Sequence, residues 1–420
     1  MHDFSYRGSE FYCENVRVRD VAEKIGTPFY LYSYKTLTDH FLKIQRAFKS
    51  VNPLICFAMK ANGNLAVLKA LIQKGAGVDI VSSGELFKAK KAGCPANRIV
   101  YAGVGKTDPE IEDAIRSNVL LFNVESVPEL DNIERIAQKL KAQVNVSLRI
   151  NPGVDPHTHE YITTGKVESK FGIDLDAAHL VFMRRKQYPH LSICGLHVHI
   201  GSQITEGEPF VKAFRKVLIF ITSLEEEGHK IKYLNLGGGL GIIYSDEKPQ
   251  TADQFAKVIL PLFRGRKYQL IFEPGRFIVG NAGVFVSKVL YVKQAGSKQF
   301  AIVDGGMNDL IRPALYGAYH EVCPLEKHAA AKKMKYDVVG PICESGDFLA
   351  VDREIQELNS GDFIALLGAG AYGFTMSSQY NARPRVPEVM AKGSRFEIVR
   401  ARETYADLVK GERFPSFLKV

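Results

Sequence analysis

Apolar residues follow two different patterns along the chain, and the change between them divides the sequence. From residue 54 to residue 273, short continuous apolar runs alternate with segments of helical apolar spacing. The runs predict eight strands, at residues 54–59, 77–81, 98–102, 119–123, 143–150, 191–200, 232–236 and 269–273. The segments between them predict helices near 64–74, 84–92, 108–117, 126–140, 174–186, 207–227 and 251–264.

Eight successive strand–helix units of similar length predict an α/β fold of the (β/α)8 TIM-barrel type. An open doubly wound sheet is the alternative. After residue 275 the pattern changes to strand-like runs separated by turns, which predicts a β-rich domain of barrel or sandwich type. We therefore expect a barrel domain at 29–277 and a C-terminal β domain at 278–420, with residues 1–28 supplying a strand to the β domain.

Composition narrows the function classes. The chain has 420 residues, is 46% hydrophobic and 24% charged, and carries a formal charge of +9 whose basic and acidic residues are interspersed. This distribution favours a solvated surface over a nucleic-acid patch. Neither a secretory signal pattern nor an apolar stretch of membrane-spanning length is evident, and six scattered cysteines lack a CxxC pair. We expect a cytoplasmic protein with reduced thiols, no bound metal, and neither nucleic acid nor membrane as a partner.

Polar residues that could take part in catalysis or ligand binding lie where the predicted barrel strands end. Because all carboxyl ends of a barrel's strands meet at one mouth, these residues should converge. They are Lys60, Asp79, Arg149, His197, His199, the glycine triplet 237–239, and the stretch Glu273, Pro274, Gly275 and Arg276.

Three of these features together indicate pyridoxal 5'-phosphate. Lys60 follows a buried strand, where a lowered pKa would suit a covalent bond to an aldehyde. Barrel closure places Glu273 beside it, as a partner for a pyridine nitrogen or, alternatively, as half of a buried salt bridge. The glycine triplet follows strand seven, where barrels often bind phosphate, although a tight turn also needs glycine.

The histidine pair leaves a metal site open as an alternative. His197 and His199 lie two apart on one strand and so share a face. A metal hydrolase would need further ligands, yet His157 and His159 fall in the long loop after strand five. We expect His199 to stack on the cofactor ring, with a packed core histidine as the alternative.

Seven motifs resemble a known family. The chain is similar to the pyridoxal-phosphate-dependent decarboxylases of the alanine-racemase-like barrel class, and within them to those that act on diaminopimelate. The motifs are FAMKAN (57–62), HVHIGSQ (197–203), GGG (237–239), EPGR (273–276), RPALY (312–316), CESGD (343–347) and GAY (370–372). The stretches 161–165 and 170–172 also resemble that group.

The resemblance implies a role for each matching residue. Lys60 would hold the cofactor, His199 stack on its ring and Glu273 pair with its pyridine nitrogen. Around the phosphate would lie Ser202, Gly237, Gly238, Gly239, Pro274, Gly275, Arg276 and Tyr372. Arg276, Arg312, Tyr316, Glu344 and Tyr372 would bind the substrate. Cys343 would donate a proton from the partner subunit of a homodimer with shared active sites.

Some assignments keep alternatives. Asp79 is a cofactor-site candidate that would otherwise pair with a basic neighbour, and Arg149 would bond the cofactor's ring oxygen or a loop carbonyl. Arg312 could be a turn residue and Cys343 an inert thiol. The expected reaction converts meso-2,6-diaminopimelate to L-lysine and carbon dioxide. One alternative is a related decarboxylase of another amino acid with a carboxylated or zwitterionic tail, such as carboxynorspermidine. The other is a non-enzymatic pyridoxal-phosphate carrier.

Overall fold

Two compact units make up the chain in a computed structural model that describes residues 2–154 and 170–418. One unit extends from Thr36 to Asn281, and the other combines the segment up to Lys35 with the segment from Ala282 onward. The first elements in the chain are β1 (Phe4–Arg7), β2 (Glu10–Cys13), β3 (Val16–Arg17), α1 (Val18–Ile25), β4 (Phe29–Ser33) and α2 (Tyr34–Ala47).

The unit from Thr36 to Asn281 is a closed barrel of eight parallel strands. The strands are β5 (Leu54–Ala58), β6 (Gly77–Ile80), β7 (Ile99–Tyr101), β8 (Leu121–Val124), β9 (Val144–Arg149), β10 (Leu191–His197), β11 (Tyr233–Asn235) and β12 (Gln269–Phe272). Pairing of Phe272 in the last strand with Ile55 in the first closes the barrel. The prediction of a (β/α)8 barrel is therefore confirmed.

Helices surround these strands in alternation with them. They are α3 (Leu65–Ile72), α4 (Ser83–Ala92), α5 (Asp108–Arg116), α6 (Val127–Leu140), α7 (Leu175–Met183), α8 (Glu208–Glu226), α9 (Ala252–Ile259) and α10 (Arg276–Val279). Capping side chains fix where several of these helices begin. Ser126 accepts a hydrogen bond from the backbone N–H of Glu129 at the start of α6, and Ser82 accepts one from the backbone N–H of Glu85 at the start of α4. Satisfying these free N–H groups sets where each helix begins.

The other unit is built on sheets. Its C-terminal elements are β13 (Gly283–Ala295), β14 (Lys298–Val303), α11 (Arg312–Tyr316), β15 (Val322–Pro324), β16 (Lys333–Val339), β17 (Phe348–Gln356), β18 (Phe363–Leu366), β19 (Glu388–Lys392), β20 (Arg395–Arg400) and α12 (Tyr405–Leu408). Nine strands form one sheet, whose main path is β17-β16-β14-β13-β4-β19-β20. The small sheet β1-β2-β3 packs on it through a core that includes Phe11, Val284 and Val389. The prediction of a β-rich second domain is confirmed.

Strand β4 lies elsewhere than the sequence interpretation placed it. That interpretation grouped residues 29–33 with the barrel, whereas β4 pairs with β13 on one side and with β19 on the other. All five of its residues are buried. A continuous apolar run predicts a strand buried on both faces but carries no information about its partners, so the sheet it joins was not readable from the pattern.

No helix within residues 2–154 or 170–418 has both the length and the apolar character needed to cross a membrane.

Close packing of neighbouring barrel strands leaves no room for a side chain at Gly77. A Cβ there would lie 2.3 Å from the backbone oxygen of Arg98 and 2.9 Å from Sγ of Cys56. We expect Gly77→Ala to lower the free energy of unfolding by about 1–3 kcal/mol, measured by chemical or thermal unfolding, because overpacking forces the strands apart. Gly105→Ala is the matched control, since a Cβ at Gly105 meets no atom within 4 Å. Equal losses in the two variants would contradict this account.

Candidate active site

Lys60 and Asp79 meet at the carboxyl end of the barrel. Lys60 lies in a short turn directly after β5, and Asp79 is in β6, paired in register with Ala58. The lysine Nζ lies 3.5 Å from Oδ2 of Asp79. The lysine side chain is 41% exposed, whereas that of Asp79 is fully buried. An amine within reach of a ligand thus has a buried carboxyl group as its neighbour.

The buried carboxyl of Asp79 favours its protonated form. Burial raises the pKa of Asp79 well above its usual value, and the negative charge of Glu273 adds to that rise, while Lys60 opposes it. Its second oxygen, Oδ1, has no hydrogen-bond partner within the described part of the chain. A group of this kind holds a proton beside the lysine amine.

Glu273 is buried as well but has the opposite tendency. Its Oε1 accepts hydrogen bonds from the side-chain amides of Asn123 and Asn235, and its Oε2 lies 3.2 Å from Nε2 of His197. Burial favours a higher pKa for Glu273, but His197, the positive charge of Lys60 and the Asn235 amide outweigh it, so the pKa lies below its ordinary value. The carboxylate therefore stays ionised deep in the barrel.

The glycine triplet sits where only glycine fits. A Cβ on Gly237, Gly238 or Gly239 would lie 2.4, 2.3 or 2.6 Å from a backbone oxygen. The N–H of Gly237 donates to Asn235 Oδ1, and that of Gly238 donates to Nδ1 of His199 at 3.2 Å. The first two N–H groups of the triplet therefore fix the loop and the histidine.

His199 is a neutral imidazole in this setting. Burial, followed by the positive charges of Arg149 and Lys60, lowers the pKa of His199 well below its usual value. Because Nδ1 accepts the hydrogen bond from Gly238, the ring is held in one orientation at the barrel mouth. A neutral ring fixed in this way is suited to stacking against a flat cofactor.

Arg276 is the first residue of α10, and its side chain connects two loops. Its guanidinium donates to Oγ of Ser202 at 3.3 Å and to the hydroxyl of Tyr244 at 2.7 Å. The neighbouring Pro274 oxygen accepts from the N–H of Ala58, and a Cβ on Gly275 would come within 3.1 Å of those of Ala58 and Ala61. The structure thus brings Ser202 and Arg276 together, and it adds Tyr244, which the motifs did not point to.

Arg149 is tied into a buried ion pair. Its Nη1 lies 2.6 Å from Oε1 of Glu125, and its Nη2 donates to the backbone oxygen of His199 at 3.5 Å. Glu125 in turn accepts from the N–H of Gly172, and the guanidinium stands over the ring of Phe171. Glu125 was missed because it follows its strand without a recognisable motif.

The remaining predicted residues belong to the β-rich unit. Arg312 and Tyr316 are in α11, and Nη1 of Arg312 lies 2.9 Å from Nε2 of buried His320. The other nitrogen of His320 faces the oxygen of Leu367 at 2.7 Å, so Nε2 is left as an acceptor for the guanidinium. His320 orients Arg312, and no sequence motif indicated it.

Cys343 and Glu344 lie in an exposed loop of that unit. Cys343 is the one exposed thiol among the six free cysteines. Its N–H donates to Oδ1 of Asn381, and Oε2 of Glu344 accepts from the Tyr380 hydroxyl at 3.3 Å. Asp347 holds the loop by accepting from the N–H groups of Met307 and Ile342.

Tyr372 has a left-handed backbone, with φ of 56°.

Among the described residues no group of three or more His, Cys, Asp or Glu side chains is placed to hold a metal ion. His157, His159 and the stretch 161–165 lie outside the described residues.

Comparison with known proteins identifies the family. Residues 34–280 match the family described as pyridoxal-dependent decarboxylase, pyridoxal binding domain. A diaminopimelate decarboxylase of Aquifex aeolicus is 48% identical over 406 residues, which are 96% of each chain. The chain belongs to the diaminopimelate decarboxylase family. This confirms the resemblance expected from the seven motifs and makes the protein a pyridoxal-dependent carboxy-lyase.

Solved structures agree with this membership of the diaminopimelate decarboxylase family. The M. jannaschii enzyme in complex with L-lysine is 36% identical, covers 100% of both chains and has a TM-score of 0.94. The Helicobacter pylori enzyme in complex with L-lysine is 41% identical and has a TM-score of 0.90, with 94% of this chain and 98% of that one covered.

The barrel residues fit the pyridoxal phosphate that diaminopimelate decarboxylases require. The fit rests on the lysine at the mouth, the unpartnered Oδ1 of Asp79, the ionised Glu273, and a loop packed too tightly for any Cβ. Lys60 suits the aldehyde and the ionised Glu273 suits the pyridine nitrogen, while the neighbouring side chains of Ser202 and Arg276 supply donors for the phosphate.

The raised pKa of Asp79 predicts a pH-dependent gain in stability on its replacement. Between the unfolded pKa of about 3.9 and the higher folded pKa, folding takes up a proton, so stability falls as the pH rises. We expect Asp79→Asn to raise the unfolding midpoint of the cofactor-free protein at pH 8, with a gain that shrinks towards pH 4.

Exposed Asp246→Asn is the control for this titration, and thermal unfolding across the pH range is the measurement. A loss of stability in Asp79→Asn at pH 8 would mean instead that Asp79 is ionised and stabilised by Lys60.

Proposed function

We propose that the protein decarboxylates meso-2,6-diaminopimelate to L-lysine and carbon dioxide, the last step of lysine synthesis. The observation that carries the proposal is full-length similarity to diaminopimelate decarboxylases, joined to a barrel mouth that holds a lysine beside a buried carboxyl group. The substrate is a small amino acid, as the lysine complexes of related structures indicate.

Lys60 is proposed as the residue that binds the cofactor covalently. Bound pyridoxal phosphate supplies an aldehyde carbon for amines and an electron-withdrawing ring that would accept the electron pair left on the carbon when carbon dioxide departs. A lysine must lose a proton to become a nucleophile, and the Asp79 carboxyl beside it at 3.5 Å favours its protonated form, so it does not hold the amine in its charged form as an ionised carboxylate would. His199 would stack on one face of the ring, and Arg149 would bond the ring oxygen.

Glu273 is proposed to pair with the pyridine nitrogen. Its low pKa supports this role, because an ionised carboxylate keeps a facing nitrogen protonated. The phosphate would be bound at the opposite end of the cofactor. We assign this binding to Ser202, Gly237, Gly238, Gly239, Pro274, Gly275, Arg276 and Tyr372.

Charge matching supports diaminopimelate as the substrate. Its distal end carries both a carboxylate and an ammonium group. We propose that Arg276, Arg312, Tyr316 and Tyr372 bind the carboxylate side, and that Glu344 receives the ammonium. A planar arginine held by His320 is suited to a carboxylate because its N–H groups form a rigid fork.

Cys343 is proposed as the proton donor that completes the reaction at the carbon losing carbon dioxide. It is an exposed thiol on a loop of the β-rich unit. We further propose a homodimer in which this loop serves the active site of the partner subunit. We place the protein in the cytoplasm, since all six cysteines are unpaired, as is usual in a reducing compartment.

Substrate selectivity tests the proposed function. We expect rapid carbon dioxide release and lysine formation from meso-diaminopimelate, and little from the L,L isomer, carboxynorspermidine, lysine or ornithine. A substrate without the distal carboxylate forms no charged hydrogen bond with Arg276 and Arg312, and the loss of such a bond costs about 1.5–3 kcal/mol. Equal release from the meso and L,L isomers, or faster release from carboxynorspermidine, would overturn the assignment.

Arg312→Lys tests the distal pocket. Lysine keeps the charge but loses the planar fork, so we expect transition-state stabilisation to fall by roughly 1–3 kcal/mol with cofactor binding intact. Steady-state kinetics on meso-diaminopimelate give the first quantity, and cofactor absorbance the second. The control is Arg395→Lys, an exposed arginine of the same unit. An unchanged kcat/KM in Arg312→Lys would exclude the role.

Subunit mixing tests the shared active site. Lys60→Ala and Cys343→Ala should each be inactive alone, because each removes one reacting group from every site. Random exchange would rebuild one intact site in each mixed dimer, so activity should return to about a quarter of the wild-type value. Exchange demonstrated by mass spectrometry without any return of activity would contradict sharing.

A further inference from the structure

His197 lies inside the barrel next to Glu273. It is the last residue of β10 and is 1% exposed. Its Nε2 is 3.2 Å from Oε2 of Glu273, close enough for an ion pair or, after a small rotation of the ring, for a hydrogen bond. Both ring nitrogens are buried, and neither makes a hydrogen bond of good geometry within the described ranges. The imidazole is therefore a buried polar ring with Glu273 as its close polar neighbour.

The other oxygen of Glu273 is held from two further strands. Asn123 in β8 and Asn235 in β11 both donate their side-chain amides to Oε1. Each amide is itself oriented: Asn123 Oδ1 accepts from the hydroxyl of Ser147, and Asn235 Oδ1 accepts from the N–H of Gly237. The carboxylate thus rests on a polar platform, which we define as Asn123, Asn235 and His197.

We propose that His197 is a positioning residue that keeps Glu273 ionised and weakly basic opposite the cofactor's ring nitrogen. The inference rests on the proposed function, in which Glu273 faces that nitrogen. No sequence motif assigned His197 a role in the reaction, since only His199 was expected to contact the cofactor.

The charged surroundings explain why Glu273 needs such a partner. Glu273 is buried inside the barrel, and the carboxyl of Asp79 adds a second acidic group to the same region. Lys60 and Arg149 supply positive charge at the mouth, but the Arg149 guanidinium is engaged by Glu125. His199 is neutral. His197 is therefore the group of this region that directly faces the second oxygen of Glu273.

The basicity of Glu273 decides where a proton shared with its partner resides. A carboxylate that receives several donors is a weak base, so the proton stays on the facing nitrogen. Removing His197 takes away one interaction with Oε2 and leaves that oxygen buried without compensation, which makes the carboxylate a stronger base. The proton would then move towards Glu273, and the electron demand of the ring would fall.

Three replacements of His197 distinguish the effect of losing its N–H donor from the effect of losing its ring. His197→Leu and His197→Met remove both nitrogens, and methionine adapts to irregular gaps, which gives a second route to a folded apolar variant. His197→Gln keeps an N–H donor of similar reach. Cys194→Ala is the control, because Cys194 is buried on the same strand and its Sγ contacts Asn145 and Val146 away from Glu273.

The decisive measurement is the nitrogen-15 resonance of labelled pyridoxal phosphate bound to each holoenzyme. We expect a protonated nitrogen in the wild type, the Gln variant and the control, and a displacement towards the neutral position in the Leu and Met variants. In those two variants kcat should fall by about tenfold or more, the equivalent of one hydrogen bond to a charged group, with KM little changed.

Several results would overturn the inference. They are an unchanged resonance in a folded Leu or Met variant, an equal displacement in the Gln variant, or a neutral nitrogen in the wild type. The readout is independent of the substrate. If the resonances behave as expected but no substrate of the panel is decarboxylated, the proposed function fails and this inference stands, whereas a protein that binds no cofactor overturns both.

Discussion

A buried carboxylate that must keep its charge is the constraint on which the barrel's chemistry depends. Glu273 has almost no contact with water, and an uncompensated ion in such a place would be protonated. The chain compensates it with amides and an imidazole from three different strands. Closure of the barrel is what makes these distant segments neighbours, so fold and electrostatics cannot be separated at this site.

Two carboxyl groups a short distance apart show how surroundings divide their roles. Among the residues that the structure describes, one oxygen of Asp79 has no hydrogen-bond partner and the other lies 3.5 Å from Lys60, and the pKa of Asp79 is raised. Glu273 has both oxygens engaged, and its pKa is lowered. The same chemical group thus serves as a proton holder in one position and as a fixed negative charge in the other.

The sequence predicted features that depend on local pattern. Eight apolar runs located the barrel strands, and the ends of those strands made Lys60, Asp79, Arg149, His199 and Glu273 candidates for the site. It did not predict the partners that hold the arginines of the site: Glu125 on Arg149, Tyr244 on Arg276 and His320 on Arg312. These contacts depend on three-dimensional closeness of loops that have no motif of their own, and periodicity carries no such information.

The place of β4 has a consequence for how the protein is made. Its residues 29–33 leave the ribosome early, yet their partners are residues 283–286 and 388–391. The barrel segment from Thr36 to Asn281 contains all of its own strands and is complete before either partner has been synthesised. The apolar side chains of this strand therefore remain exposed through most of translation, because no sheet is yet present to bury them. This exposure makes the N-terminal segment of the nascent chain prone to aggregation.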